Sequence, residues 1–411
     1  MNVSLPTFLL RVFAPFALGY FLSYCLRTIN AIIAPQLNSE LSLNAASLGF
    51  LTAAYFLPFA AMQIPLGRWL DKYPPRKVEA ALLLFAAAGA SVFALAQDFT
   101  MLVLARALIG AGVCGCLMAS FRTFTLWLPK DKLPLMNGIQ LAIGSIGAIS
   151  ITAPAQKLIP LLGWRGMFWV MVGLLIVCAI WLYFFTPDPP ATAAQKAAHA
   201  ATQNPVAFNV WKSPIFWTLA PFGALNAAHG MSMQALWASP WLTDVAGVSK
   251  VALGPTLALV SVGMLIGNVA GGAIASAVSK RGILPHQVGV VLCVIALVTQ
   301  IPIVMGWSNT PGLWVFLFGL FNSSGNLVFA SANHFFAPQV LGRVFAAFNL
   351  VMFALVFVVQ WGTGLVVNAF PKTGGGYEAK GYALAFGALA LAQVAGLGWY
   401  FSRRHLLKAT H

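Results

Sequence analysis

The chain has 411 residues, 60% of them hydrophobic and 8% charged, with a formal net charge of +15. Soluble domains carry about 25% charged residues, so this chain cannot wet a globular surface, and it is too apolar and aromatic for disorder. Lipid is the solvent that such a composition fits.

A spanning helix needs about 20 apolar residues. Such runs fall at 12–37, 46–66, 78–97, 100–128, 135–160 and 165–186, then at 213–242, 252–278, 286–307, 312–336, 342–369 and 380–401. The first, from Val12 to Leu37, is longer than a signal-peptide core and reads as a retained helix. The longest polar interval, 187–212, holds Asp188, Pro189, Pro190 and an Ala/Gln/Lys/His stretch, and reads as a cytoplasmic linker. The expected fold is all-α and membrane-embedded. Twelve transmembrane helices form two pseudo-symmetric six-helix halves, 1–186 and 213–411.

Lysine and arginine set the orientation, because cytoplasmic loops collect them. With the N-terminus inside, fifteen basic residues fall on cytoplasmic segments, among them Arg68, Lys72, Arg76, Lys77, Lys130 and Lys196. Five fall outside: Lys157, Arg165, Lys250, Lys372 and Lys380. Both termini are therefore expected in the cytoplasm, in the inner or plasma membrane. The same bias explains the positive charge without a nucleic-acid partner. The five cysteines lie in apolar stretches, an odd number with no plausible pairing.

The halves repeat. Gly67 opens a basic loop after the second span, and Gly272 leads to Lys280 and Arg281 after the eighth, 205 residues on. An even duplication of this kind places substrate between halves, near the bilayer midplane.

The chain resembles the major facilitator superfamily over essentially its full length. The loop after the second span follows the family's G-x-L-x-D-R-x-G-R-R pattern as Gly67, Leu70, Asp71, Lys72, Arg76 and Lys77, with Pro74-Pro75 where the late glycine usually stands. The fourth span follows R-x-x-x-G-x-G as Arg106, Gly110 and Gly112, and Gly163-Trp164-Arg165-Gly166 is typical of the junction between the fifth and sixth. The resemblance implies a gate in which Asp71 faces the positive N-terminus of the eleventh span, just after Arg343. Gly67 and Arg76 belong to the same gating motif. A solvated loop carrying topogenic charge is the alternative.

Three arginines fall inside spans: Arg27, Arg106 and Arg122. A charge near the bilayer centre costs roughly 2.5–3.5 kcal/mol on insertion scales, so each needs a reason. Tyr24-Cys25-Leu26-Arg27-Thr28-Ile29-Asn30 resembles the Y-x-D-R-x-N segment of the organic-anion symporter branch, where the arginine binds substrate carboxylate. That implies a site of Arg27 with Tyr24 and Asn30. Arg106 occupies a position shared by family members of many substrates, drug exporters included, and is open to a structural or a substrate role. Arg122 either faces the cavity or snorkels to the interface.

The eight acids, Glu79 among them, map to loops or span edges, which leaves an electropositive cavity suited to an anion. Proton-coupled members of the branch carry acids where this chain has Leu26 and Val113, so a coupling proton is left open. His229 is the one other ionisable group at comparable depth, with packing as the alternative role. Gln234, Trp237, Asn322, Asn326, Gln360 and Trp361 are candidate polar partners from the second half, with Asn322 and Asn326 expected on one helix face. The expected function is secondary transport of a small carboxylate-type anion by alternating access, by a monomer that is not an enzyme and needs no cofactor. The alternatives are a multidrug or other solute exporter, or a copper importer built on His229, Met231 and Met233, with Cys114 and Met118 as further soft ligands.

Overall fold

The computed structural model describes residues 5–128, 133–188, 208–279, 281–336, 338–373 and 375–407. Among them the chain is helical, with one isolated β-bridge between Pro371 and Tyr377. We number the helices α1 (Pro6–Thr28, continued by Asn30–Leu41), α2 (Ala45–Leu70), α3 (Pro75–Leu95), α4 (Phe99–Trp127), α5 (residues 133–162) and α6 (residues 164–185). The second set is α7 (residues 214–244), α8 (Lys250–Ser279), α9 (Pro285–Val304), α10 (Pro311–Phe335), α11 (Val340–Asn368) and α12 (Ala379–Leu407). Ten of the twelve are long and apolar enough to cross a membrane by length and composition. The other two are α5, apolar over Met136–Ile151, and α7, whose polar Asn226, His229 and Gln234 interrupt its apolar run.

Local chemistry sets the ends. Asp98 caps α4, accepting from the Met101 amide at 2.8 Å, and Ser213 caps α7 ahead of Pro214. The turn between α5 and α6 is made at Gly163, whose φ of 66° and ψ of 170° belong to the glycine-only region. Arg165 fixes the start of α6 by donating to the Ala96 carbonyl at 2.9 Å.

Packing divides the chain into two units, Met1–Ile29 with Ala54–Val206, and Asn30–Ala53 with Ala207–His411. In the first, Gly110 lets α4 lie against the Tyr55 carbonyl, and Gly147 lets α5 lie against the Phe21 carbonyl. Phe93 stacks on Phe168 at 4.1 Å between centroids. In the second, Gly263 of α8 and Gly319 of α10 bring those backbones together. These glycines therefore serve close helix packing. Trp237, Trp241, Phe318 and Tyr382 centre one apolar cluster, which also holds Ala34 and Ala45. Asp244 ends α7 by accepting from the Tyr382 hydroxyl at 2.7 Å and the Tyr377 amide at 3.1 Å, while the Tyr377 hydroxyl accepts from the Ala45 amide at 2.6 Å.

Four helices depart from α geometry in their interiors. α1 breaks at Ile29, α4 at Cys114–Gly115, α7 in a π-turn over Met233–Trp237 and α10 in a 3₁₀ turn over Ser323–Asn326. They are the first and fourth helices of each six. Short π and 3₁₀ departures from the α ladder of this kind often mark functional sites.

Candidate functional site

The first unit brings two arginines onto one ring. Arg27 and Arg106 are both buried, and their guanidinium carbons lie 6.0 Å and 5.4 Å from the centroid of Tyr55 on α2. Arg27 also lies over Tyr24 at 4.4 Å and Phe59 at 5.5 Å. Such distances fit cation–π attraction, worth about 0.5–2 kcal/mol each. Gly144 on α5 leaves space for the Tyr20 and Tyr24 rings.

Arg106 is tied to the neighbour of Arg27. Its Nη1 donates to the Leu26 carbonyl at 2.8 Å, beside the break in α1. Its Nε and Nη2 have no hydrogen-bond partner among the described residues. Two of the Arg106 nitrogens therefore lack an acceptor in this packing, and both arginines lie against the same ring. Arg122 lies on the other side of the α4 break and is half-buried.

The remaining candidates belong to the second unit. Asn30 donates to Thr52 Oγ1 at 3.1 Å. Gln234 donates to Ser261 at 2.8 Å, and the Gln360 side chain meets Ser232 at 2.7 Å. The Trp237 indole donates to the Gln360 carbonyl at 3.1 Å, and the partly exposed Trp361 meets Phe50 edge-on at 5.3 Å. His229 Nδ1 lies 3.5 Å from Gln393, which in turn donates to Asn226 at 2.8 Å. Phe318 packs on the His229 ring at 5.0 Å. Met233 is buried in the tryptophan cluster, so it serves as apolar packing there.

Two expectations need correction. Asn322 and Asn326 do not share a face: the 3₁₀ turn between them leaves Asn322 buried beside Gly230 and Asn326 exposed, donating to Asn268 at 2.9 Å. A 3₁₀ turn has three residues per turn, so positions four apart fall about 120° apart rather than nearly in line. Glu79 lies one turn from the start of α3, yet it is fully buried rather than facing water. α3 already starts at Pro75, and Glu79 lies on the inward stripe with Leu83, Ala86 and Ala90.

Of the gating residues, Gly67 has nothing within contact distance of its missing side chain. The Asp71 side chain lies outside what the structure describes. Arg343 donates to the Phe208 carbonyl at 3.2 Å. Arg76 forms a two-pronged ion pair with Asp188, at 2.6 and 2.7 Å, and also donates to the Tyr183 carbonyl. The charged Arg76 holds the Asp188 carboxyl below the usual carboxylate range. Sequence reasoning missed Tyr55, because one aromatic among many carries no mark; its spacing of four from Phe59 on α2 is the signal available.

Residues 16–360 match the model of the Major Facilitator Superfamily. The chain belongs to that superfamily. As a superfamily member it is a multi-pass membrane transporter and not an enzyme. A probable sulfoacetate transporter, SauU, of Cupriavidus necator is 25% identical over 90% of this chain and 82% of its own. A probable L-galactonate transporter of Escherichia coli K12 is 26% identical over 54% of this chain and 50% of its own. Among solved structures, a bacterial homologue of the human lysosomal transporter Spinster, inward-facing and occupied, superposes with a TM-score of 0.79 at 20% identity, covering 96% of each chain. A D-xylose–proton symporter superposes with a TM-score of 0.70 at 14% identity, over 94% of this chain and 97% of its own. These two share the fold.

Proposed function

We propose that this superfamily member is a secondary active transporter of a small organic anion carrying a carboxylate or sulfonate, working by alternating access. The observation that carries the reading is the pair of buried guanidinium groups on the Tyr55 ring, with two Arg106 nitrogens unused. A guanidinium is permanently charged and matches a planar or trigonal oxyanion with paired donors. Arg27 is the anchor, Tyr24 and Tyr55 hold its plane, and Arg106 adds a second donor set. A cation would meet repulsion from both arginines in a low dielectric. The probable sulfoacetate and L-galactonate transporters among the relatives support an anionic substrate.

The twelve-helix chain carries both termini in the cytoplasm of a cell membrane, a reading supported by its lysine and arginine distribution. The halves 1–186 and 213–411 exchange access around the site, with 187–212 as the linker. Asn30, Arg122, His229, Gln234, Trp237, Asn322, Asn326, Gln360 and Trp361 supply secondary contacts, and Gly67, Asp71, Arg76 and Arg343 form the cytoplasmic gate. The test is uptake into proteoliposomes of labelled sulfoacetate, galactonate and other small acids, compared with xylose and a lipophilic cation. Uptake confined to anions, inhibited by other small carboxylates and sulfonates, supports the reading. Uptake of the cation or the sugar alone contradicts it.

A further inference from the structure

Glu79 is fully buried one turn into α3, and neither of its carboxyl oxygens has an N–H or O–H hydrogen-bond partner among the described residues. Three other helices close around it. α1 presents Gly19, where a side chain would collide with the Glu79 carboxyl. α4 carries Cys116, and α6 carries Cys178, whose thiol donates to the Pro15 carbonyl at 3.4 Å. The Cys116 thiol, a weak donor, is the polar side chain acting on the carboxyl, and no lysine, arginine or histidine among the described residues does so. On the first turn of α3 itself, Arg76 is taken up by Asp188 and Lys77 is exposed.

Glu79 is not the counter-ion of the anion site. Phe93, against which Arg106 lies, is fourteen residues on along α3, about 21 Å at the α-helical rise, and Arg27 is eight residues, about 12 Å, along α1 from Gly19. A carboxylate without a donor in apolar surroundings costs several kcal/mol, so the neutral acid is the form that this packing accommodates. An ionisable residue kept inside a membrane helix at that cost marks a functional position. The glycine facing it gives the carboxyl room and makes the α1–α3 contact dependent on its charge.

We infer that Glu79 is a proton-binding site, separate from the anion site, that is protonated when α1 is packed on it and ionises when α1 moves away and water reaches it. The step is the loss and recovery of one proton at the carboxyl, with no other bond changed. A proton carried there with each cycle would offset the charge of the anion. That coupling rests on the anion-transport reading; the proton binding does not.

The first measurement is infrared spectroscopy of the wild-type protein carrying carbon-13 glutamate side chains. The chain has three glutamates, and Glu40 and Glu378 are exposed. A protonated glutamate carbonyl band at neutral pH therefore reports Glu79 without any substitution. Its presence in wild type and its loss in Glu79→Gln is the expected result; its absence from wild type overturns the inference. The second measurement compares exchange with accumulation in proteoliposomes, using the anion that the uptake screen selects. Glu79→Gln should keep anion exchange and lose accumulation driven by a pH gradient. Wild-type-like accumulation by Glu79→Gln overturns the coupling and leaves the arginine site untouched. Failure of every anion in the screen removes the transport reading, while the infrared band still decides whether Glu79 holds a proton.

Discussion

Arg106 on α4 donates to the carbonyl of Leu26, the residue before Arg27, at 2.8 Å. One arginine thus holds the backbone from which the other extends, at the point where α1 breaks. Arg106→Lys keeps the charge but not the fork of donors. Anion affinity should fall about tenfold or more, as for other desolvated charge contacts. Leu26 has no side-chain role in this contact, so Leu26→Ile should bind anion like wild type. Binding by thermal shift or calorimetry reads both, and an Arg106→Lys variant with wild-type affinity would leave Arg106 a packing residue.

Tyr55 lies against both guanidinium groups. Tyr55→Phe keeps the ring and loses the hydroxyl; Tyr55→Leu loses both. With each cation–π contact worth about 0.5–2 kcal/mol, the leucine variant should bind anion roughly tenfold more weakly, and the phenylalanine variant by a smaller factor. Equal losses in the two variants would show that the hydroxyl, not the ring, matters.

Much of this was legible in the chain. Hydropathy is a local property, so the apolar spans could be read directly. Arg27, Arg106 and Arg122 stood out because charge is rare in apolar runs. The rest depended on helix geometry that residue types do not display. Glu79 follows Arg76-Lys77 closely and so reads as an edge residue, yet one turn from Pro75 is enough to rotate it inward. The π-turn over Met233–Trp237 holds no proline or glycine, and the single Gly325 within Ser323–Asn326 does not announce the 3₁₀ turn that separates Asn322 from Asn326. Tyr55 needed three helices to be assembled before its position meant anything.

The close approach of α2 and α4 gives a stability prediction. A side chain at Gly110 would collide with the Tyr55 carbonyl, whereas Gly173 on α6 faces open space. Gly110→Ala should lower stability by about 1–3 kcal/mol, the usual cost of overpacking, and weaken anion binding through Tyr55. Gly173→Ala should be neutral or stabilising by about 0.5–1 kcal/mol, since alanine is the better helix former. Melting temperatures of the two variants provide the comparison.

Asp188 gives a pH prediction. Its carboxyl is held below the usual carboxylate range by Arg76, so the contact contributes fully above the unfolded-state value near 3.8. It is lost as pH falls through the lower folded-state value. The pair is partly exposed, so its contribution is small and screened by salt. Asp188→Asn should therefore lower the melting temperature slightly at neutral pH, and the difference from wild type should vanish at strongly acid pH. A difference that grows on acidification would contradict the ion pair's role.

The central claim is that Arg27 binds the substrate anion. The most direct measurement is the melting-temperature shift given by a panel of small carboxylates and sulfonates to wild-type protein and to Arg27→Lys. A ligand at about 100 times its dissociation constant adds about 2.7 kcal/mol of stability, enough to read. The account predicts that at least one anion stabilises the wild type, that Arg27→Lys melts at the same temperature without ligand, and that the anion-induced shift is lost in the variant. An anion that shifts both proteins equally would contradict it.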